Sequence, residues 1–545
     1  MSNNQNQSFL DPKTISAIIL SALVFLGWNA WMRTKYPHLT NDVKKAASVE
    51  MPKQNVESEE SQVSLPQETA STIAKSGDVE IGMNETVVNE EFLHFEDQRI
   101  SFDISSKGMG LKNIQLKKYK DREMNTLHAG SNEGTLPFST NIMGRSSALN
   151  FVLSKKGDRL FEGVSEVNGM RVIKIMEIKE DSYSIDTVLK VDGHLENLVG
   201  VTTELTEKIH PKKSGGMLSA DRFNIQEFFV DYGTDKDERK HIVHDEANNL
   251  PYSNVNIAAI GSQYFTMALV NKSDVMPKAD AVTKADSEVA SLKLYFNMLN
   301  KSDVFNIHYG SYIGPKSLNI LEASNENLVK IIDYGFFGSI ARILQRVLEF
   351  FHNYTGNWGA AIILLTLLVR FLVLPTALSS YKSMKNMSKI NPLLKDIKER
   401  HKDDPNARNQ AMMQLYKDHK INPVGGCLPT LLQLPVFFAL YQVLGQSIDL
   451  YQTPFIFWIH DLSAKDPYYV LPVLMGITML VQTKISPSTM DPAQAKIMMI
   501  MPVVFAFMMA NLPSGLTLYI FISGLFGIFQ QLYFTRDREA KVVKA

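Results

Sequence analysis

A single cation inside a long apolar run sets the strictest limit on how this chain can fold. Trp358–Leu378 reads Trp-Gly-Ala-Ala-Ile-Ile-Leu-Leu-Thr-Leu-Leu-Val-Arg-Phe-Leu-Val-Leu-Pro-Thr-Ala-Leu, and Arg370 is its only charged residue. About 20 apolar residues at roughly 1.5 Å each span a bilayer core, so the run is long enough to cross one. A cation in hydrocarbon costs at least about 2.5–3.5 kcal/mol and normally faces a partner or water. No Asp or Glu lies within the other apolar segments of the C-terminal third: Leu428–Leu444, Tyr468–Thr483, Ile497–Leu512 and Leu516–Tyr533. Two readings stay open: a water-filled recess around Arg370, or a side chain that snorkels over the roughly 12 Å to Leu378. Polar company favours the recess. Thr366 sits one turn earlier on the same face, and Gln433, Gln482, Asn511, Ser523 and Gln530 lie in or at the ends of the other segments.

The 545 residues leave room for several domains. A net charge of −1 provides no global field to hold DNA, so charge matters only locally. Mean hydropathy of −0.09 averages a soluble half with a membrane half. The one cysteine, Cys427, excludes an intramolecular disulfide and reads as a packing residue at the start of an apolar segment. Ile15–Trp31 exceeds a signal-peptide core and carries the interface aromatics Trp28 and Trp31, so residues 1–35 are expected to form an uncleaved signal anchor, with a cleaved signal as the alternative. From Pro37 to Asn89 the chain is polar and almost free of aromatics, which predicts a disordered tether over 36–89.

Period-two alternation then begins. Ile100, Phe102 and Ile104 alternate with polar residues, as do Ile185, Leu189 and Val191, and later Leu292, Leu294 and Phe296. Such runs between Gly, Asn and Asp turns predict a large antiparallel β-sandwich within 90–330. Its acidic residues are scattered, with no metal-ligand cluster, nucleophile motif or phosphate loop, so no metal and no catalytic role are expected there. Over 335–352 the period becomes helical. Phe336, Ile340, Ile343, Leu344, Val347, Leu348 and Phe351 fall on one face, opposite Arg342, Gln345, Arg346 and Glu349. An amphipathic helix immediately before a crossing is expected to lie in the membrane interface; packing against the β domain is the alternative.

Five crossings are expected within 356–535. Loop 379–426 carries ten Lys and Arg, the tail after Tyr533 four, and loop 445–467 only Lys465, so the basic loop and tail belong on the cytoplasmic side. Crossing parity then puts the β domain outside and the N-terminus inside, against the weak local signal of Arg33 and Lys35. Met384, Met387, Leu394 and Ile397, then Pro405 after His401-Lys-Asp-Asp, then Met412, Met413, Leu415 and Tyr416 predict a two-helix hairpin within 379–424. Its lysines, Lys382 to Lys420, suit lipid head groups, ribosomal RNA or an acidic partner, or simply a solvated loop. Twelve of the 25 methionines lie between Met384 and Met509, as suits lipid-facing helices or a surface accepting varied apolar sequences.

Asn422-Pro-Val-Gly-Gly-Cys-Leu-Pro-Thr-Leu-Leu-Gln-Leu-Pro-Val-Phe-Phe-Ala-Leu-Tyr441 resembles the signature of the YidC/Oxa/Alb membrane protein insertases. Gly356-Asn-Trp-Gly359, Trp458-Ile-His-Asp-Leu462 and Leu512-Pro-Ser-Gly-Leu516 also resemble that family's core, in the same order. The anchor, β domain and interfacial helix resemble the Gram-negative layout. The resemblance implies a polytopic α-helical protein of the inner membrane: an N-terminal anchor, a five-helix core, a periplasmic β-supersandwich and a basic cytoplasmic tail at 536–545, with both termini cytoplasmic. It implies an insertase and chaperone, without cofactor or catalytic chemical step, that moves nascent membrane proteins into the bilayer alone or beside the Sec translocon. The client groove would centre on Arg370, with Thr366, Gln433, Gln482 and Tyr519 around it. At the second aromatic position of the last crossing this chain has Ile520, so only Tyr519 is carried over. Ribosome, targeting receptor and membrane lipids are the implied partners of the hairpin.

A secondary transporter is the main rival class. It is disfavoured by the lack of intramembrane carboxylates and of an evident repeat. A surface enzyme anchored by the helices is disfavoured because the polar residues concentrate in the membrane half.

Overall fold

The computed structural model describes residues 89–542 apart from 122–123, 133, 146, 210–224, 235, 243–246, 284–287, 299–303, 403, 420, 422–427 and 487–491. The anchor expected at 1–35 and the tether at 36–88 lie outside the described residues. So do 422–427 of the signature and 543–545 of the tail.

Alternation produces three antiparallel sheets. The nine-stranded sheet runs from edge strand Lys236–His241 through Glu227–Tyr232, Val255–Gly261, Phe265–Asn271, Val304–Pro315, Ser184–Gly193, Met170–Ile178 and Leu160–Val167 to Val152–Lys155. The five-stranded sheet orders Asn248–Tyr252, Lys278–Thr283, Val289–Asn297, Gly200–Lys208 and Ser139–Ile142. Phe92–Glu96, Ile100–Ser105, Leu111–Lys120 and Thr126–Ala129 form the third. Ala290, Leu292, Leu294 and Phe296 all point inward from one strand, since successive side chains alternate faces. In the middle of the large sheet, Ile257, Ala258, Ala259, Ile260 and Gly261 are buried in succession, so that strand is covered on both faces.

The chain leaves the last strand through helix α1 (Leu318–Ser324) and a 3-10 turn at Glu326–Ile331. An ion cluster clamps this exit to the sheet. Glu227 Oε1 accepts from Arg239 Nη1 at 3.0 Å and from Lys316 Nζ at 3.2 Å, while Arg239 Nη1 also donates to the Ile331 carbonyl at 2.8 Å. Burial pushes the Glu227 carboxyl up, but Lys316 and Arg239 outweigh it and hold it below the usual range.

Helices follow: α2 (Gly338–Thr355), α3 (Trp358–Lys389), α4 (Asn391–Arg400), α5 (Pro405–Asp418), α6 (Leu428–Gln446), α7 (Val470–Ile485), α8 (Pro492–Met509) and α9 (Ser514–Val542). Among the described residues, Trp358–Leu378 and Ser514–Tyr533 are long and apolar enough to cross a membrane, and Val470–Ile485 and Met498–Met509 are shorter apolar helices. α3 does not stop at Leu378. It runs through Pro375 to Lys389, so Met384 and Met387 belong to it and the hairpin proper is α4 and α5. Asp404 caps α5 by accepting from the amides of Asn406 and Ala407 at 2.9 and 3.0 Å, ahead of Pro405.

α2 packs on α3 and α6 with part of the face that periodicity indicates, joined by two residues of the polar face. Ala341, Leu344 and Leu348 are buried together with polar Gln345 and Glu349, while Phe336, Ile343 and Phe350 stay exposed. Hydrogen bonding explains why the two polar residues are buried. Gln345 Nε2 donates to Glu349 Oε1 at 3.0 Å and to Asp449 Oδ2 at 3.4 Å, and Ser317 Oγ meets Asp449 Oδ1 at 3.3 Å. The segment after α6 is also seated on the β region. Tyr451 packs against Tyr264 with ring centroids 4.8 Å apart and donates to the Lys120 carbonyl at 2.8 Å. Gln263 Nε2 reaches the Gly445 carbonyl at 2.6 Å, and Gln452 Nε2 reaches that of Asp121 at 2.8 Å.

Burial pushes both the Glu349 and Asp449 carboxyls up, and the Asp449 charge adds to the effect on Glu349. A carboxyl with a raised folded-state pKa stabilises most at low pH, and that stability is lost as pH rises through the raised value. Glu349→Gln should therefore raise stability at pH 7–8. The gain should fade as pH falls towards 4.5. Thermal melting of the purified protein across this pH range measures it; destabilisation at neutral pH would show that the ionised carboxylate is required.

Candidate functional site

α3, α6 and α9 pack together, which brings four separated residues to one place. Thr366 and Arg370 stand one turn apart on α3, because residues i and i+4 share a helix face. Thr366 is fully buried, and its hydroxyl turns back onto its own helix to donate to the Ile362 carbonyl at 2.6 Å. It is a polar wall, not a free donor. Arg370 is half-buried and reaches across to α9, where its Nε donates to Ser523 Oγ at 2.8 Å. Nη2 donates to the same oxygen. Among the described residues no carboxylate forms an ion pair with Arg370.

Tyr519 lies one turn before Ser523 on α9 and is buried at 2 % exposure, with Arg370, Gln433 and Ser523 as neighbours. Gln433 enters from α6 and is half-buried. Arg370, Thr366, Gln433 and Tyr519 thus converge. Gln482 stands apart. It projects from α7 onto Gly527 of α9, one turn beyond Ser523, where a Cβ would lie 2.7 Å from its Nε2. Gly524 makes the matching contact, a Cβ there falling 2.9 Å from Thr478 Oγ1. Gln482 belongs to the α7–α9 seam, and among the described residues no hydrogen bond joins it to Arg370. Ser523, which the sequence places only among the general polar company of Arg370, is the direct partner, and its four-residue spacing from Tyr519 puts both on one face of α9.

The end of the helical region away from the hairpin is closed by the three short motifs. Trp358 stacks on His352 with ring centroids 3.9 Å apart. Gly359 lies under Phe455, whose ring would come within 2.1 Å of any Cβ there, so only glycine fits. Trp458 Nε1 donates to Asp466 Oδ1 at 3.0 Å, and Asp466 Oδ2 accepts from the Leu471 amide at 2.7 Å near the start of α7. The amides of Ser514 and Gly515 donate to the carbonyls of Ala464 at 2.7 Å and Leu462 at 2.9 Å. The loop between α6 and α7 is therefore pinned to the start of α9. Among the described residues no group of three or more His, Cys, Asp or Glu is placed to hold a metal ion.

Known proteins match both halves. The family model described as 60Kd inner membrane protein matches residues 350–541, and that described as YidC periplasmic domain matches 93–347. The membrane protein insertase YidC of Geobacter metallireducens is 33 % identical over 98 % of this chain and 100 % of its own length. That of Geobacter sulfurreducens is 35 % identical over 80 % of this chain and 85 % of its own. Over the more similar part, the YidC of Citrifermentans bemidjiense reaches 50 % identity across 42 % of this chain and 43 % of its own. A solved structure of an active YidC insertase with its first transmembrane domain resolved aligns at a TM-score of 0.37 and 17 % identity, covering 81 % of this chain and 92 % of that one. Two adjoining family models and a full-length relative thus agree with the meeting of the three motifs: the chain belongs to the YidC family of membrane protein insertases.

Proposed function

We propose that this protein inserts nascent membrane proteins into the inner membrane, and that Arg370 is the centre of the groove they use. The observation that carries the reading is a guanidinium among apolar helices held by a neutral hydroxyl, Ser523, with Thr366, Gln433 and Tyr519 around it. A neutral partner satisfies hydrogen bonds but leaves the positive charge uncompensated and open to an acidic client segment. α3, α6, α7, α8 and α9 are the five crossings in this reading, with the β region periplasmic and both termini and the basic hairpin cytoplasmic. Exposed Phe371, Leu372, Met499, Met501, Val503 and Phe507 on α3 and α8 suit contact with lipid.

The mechanism needs no chemical step. A polar client segment leaves water for the polar groove, which lowers its barrier to crossing. Its apolar helix then moves out among lipids, driven by about 25 cal/mol per Å² of apolar surface withdrawn from water. α7 is only 16 residues long, about 24 Å, and short helices thin the bilayer locally, which shortens the path. In the same reading the protein acts both alone and beside the Sec translocon. The hairpin α4–α5 recruits ribosome-bound clients or their targeting receptor.

If the groove is hydrated from the cytoplasmic side, Arg370→Cys in a Cys427→Ala background should react with a water-soluble maleimide added to that side. Complete protection, with a control cysteine at Lys402 labelled, would exclude the cavity.

Charge selectivity is the second expectation. At an effective dielectric constant near 20, a carboxylate roughly 5–6 Å from the guanidinium gains about 3 kcal/mol, up to about a hundredfold in rate if the whole interaction is felt at the barrier. Arg370→Ala should therefore slow clients with acidic translocated segments tenfold or more relative to neutral ones, and Arg370→Lys should retain much of the activity. Protease protection of inserted segments in reconstituted vesicles measures both. Equal slowing of the two client types would refute the charge role.

A further inference from the structure

We infer that Ser523 is a positioning residue that decides which edge of the Arg370 guanidinium meets the client. The inference rests on the reading of Arg370 as the client-facing cation. A guanidinium has five N–H donors in a rigid planar fork. Two of them, on Nε and Nη2, converge on one oxygen, Ser523 Oγ. The three that remain lie on Nη1 and the far side of Nη2, so the end of the fork is left as a pair of parallel donors. That is the edge which binds a carboxylate through both oxygens. Held at its Nε side, Arg370 cannot swing along the helix towards the surface. Since the hydroxyl is neutral, it holds the cation without cancelling it; an Asp or Glu at this position would do the first and prevent the second.

The rotation of α9 that aims Ser523 at α3 is itself built in. Gly524 and Gly527 lie against Thr478 and Gln482 of α7 so closely that no side chain fits without displacement. Thr478 is not free to yield, because its hydroxyl donates to the Met475 carbonyl at 2.7 Å and a β-branched side chain has few rotamers. The glycine face of α9 therefore lies on α7, and Ser523, adjacent to it and only 4 % exposed, turns to α3. Tyr519, one turn back, flanks the same guanidinium.

The test uses the full-length protein in vesicles and two readouts. The first is the rate at which phenylglyoxal modifies Arg370, followed by mass spectrometry, with exposed Arg400 of the hairpin as internal control. The second is the ratio of insertion rates for matched clients with acidic and neutral translocated segments. Ser523→Ala should speed modification of Arg370 at least about threefold, leave Arg400 unchanged, and reduce the acidic-to-neutral ratio several-fold. Ser523→Thr, which keeps the hydroxyl, should restore both. Modification of Arg370 in Ser523→Ala at the parental rate overturns the inference, and so does faster modification with an unchanged client ratio. Failure of Thr to restore either readout overturns it as well, since shape and not the hydroxyl would then be responsible. Loss of client-charge dependence is scored separately in Arg370→Ala. If that variant slows acidic and neutral clients by the same factor, so that their ratio is unchanged, the groove reading fails while the modification rates still report on the contact.

Discussion

Holding one guanidinium among apolar helices is the demand around which the helical region is arranged. The cation loses several kcal/mol of hydration there, and a hydroxyl restores hydrogen bonds but not the opposing charge. Three helices must bring polar atoms to the same level for even that much to be available: α3 supplies Arg370, α9 supplies Ser523 and Tyr519, and α6 supplies Gln433. Each carries its polar residue in an otherwise apolar stretch, so a small change in helix rotation would leave the guanidinium facing hydrocarbon. Close contacts fix that rotation, chiefly the glycines of α9 against α7.

The far end of the bundle is rigid for a different reason. Loop residues between α6 and α7 carry backbone groups with no helix of their own to satisfy them, and buried polar groups left unpaired are costly. Asp466 absorbs the Trp458 indole and the amides of Tyr468 and Leu471, and two carbonyls of the loop accept from the first amides of α9. The same loop meets the β region through Tyr451 and Gln452 and meets α2 through Asp449. Sheet, α2 and core thus share one polar junction. In the proposed insertase this junction closes the outer end, while the groove faces the side from which clients arrive.

Local signals read well where one physical cause acts alone. Strand Val289–Asn297 follows from alternation, because only one arrangement hides Leu292, Leu294 and Phe296 together. The Asp404–Pro405 start of α5 follows from capping chemistry that needs no tertiary partner. Reading fails where two causes compete. On α2 the apolar periodicity put Gln345 and Glu349 on the polar face, yet both are buried, because Gln345 donates to Asp449, about a hundred residues away in the chain, and to Glu349 beside it. Gln482 is polar like the companions of Arg370, but its side chain packs against Gly527 on the α7–α9 seam, a contact that no local pattern announces.

The sequence by itself determined the kinds of element, the presence of a lone cation, Arg370, in an apolar run, and the family, because composition, periodicity and short motifs are properties of neighbouring residues. Tertiary structure decided which polar residues share a site. Ser523 and Arg370 lie 153 positions apart, and nothing within either helix selects the other. Their meeting depends on how α9 rotates against α7, a matter of ångström-scale glycine packing that no local pattern encodes.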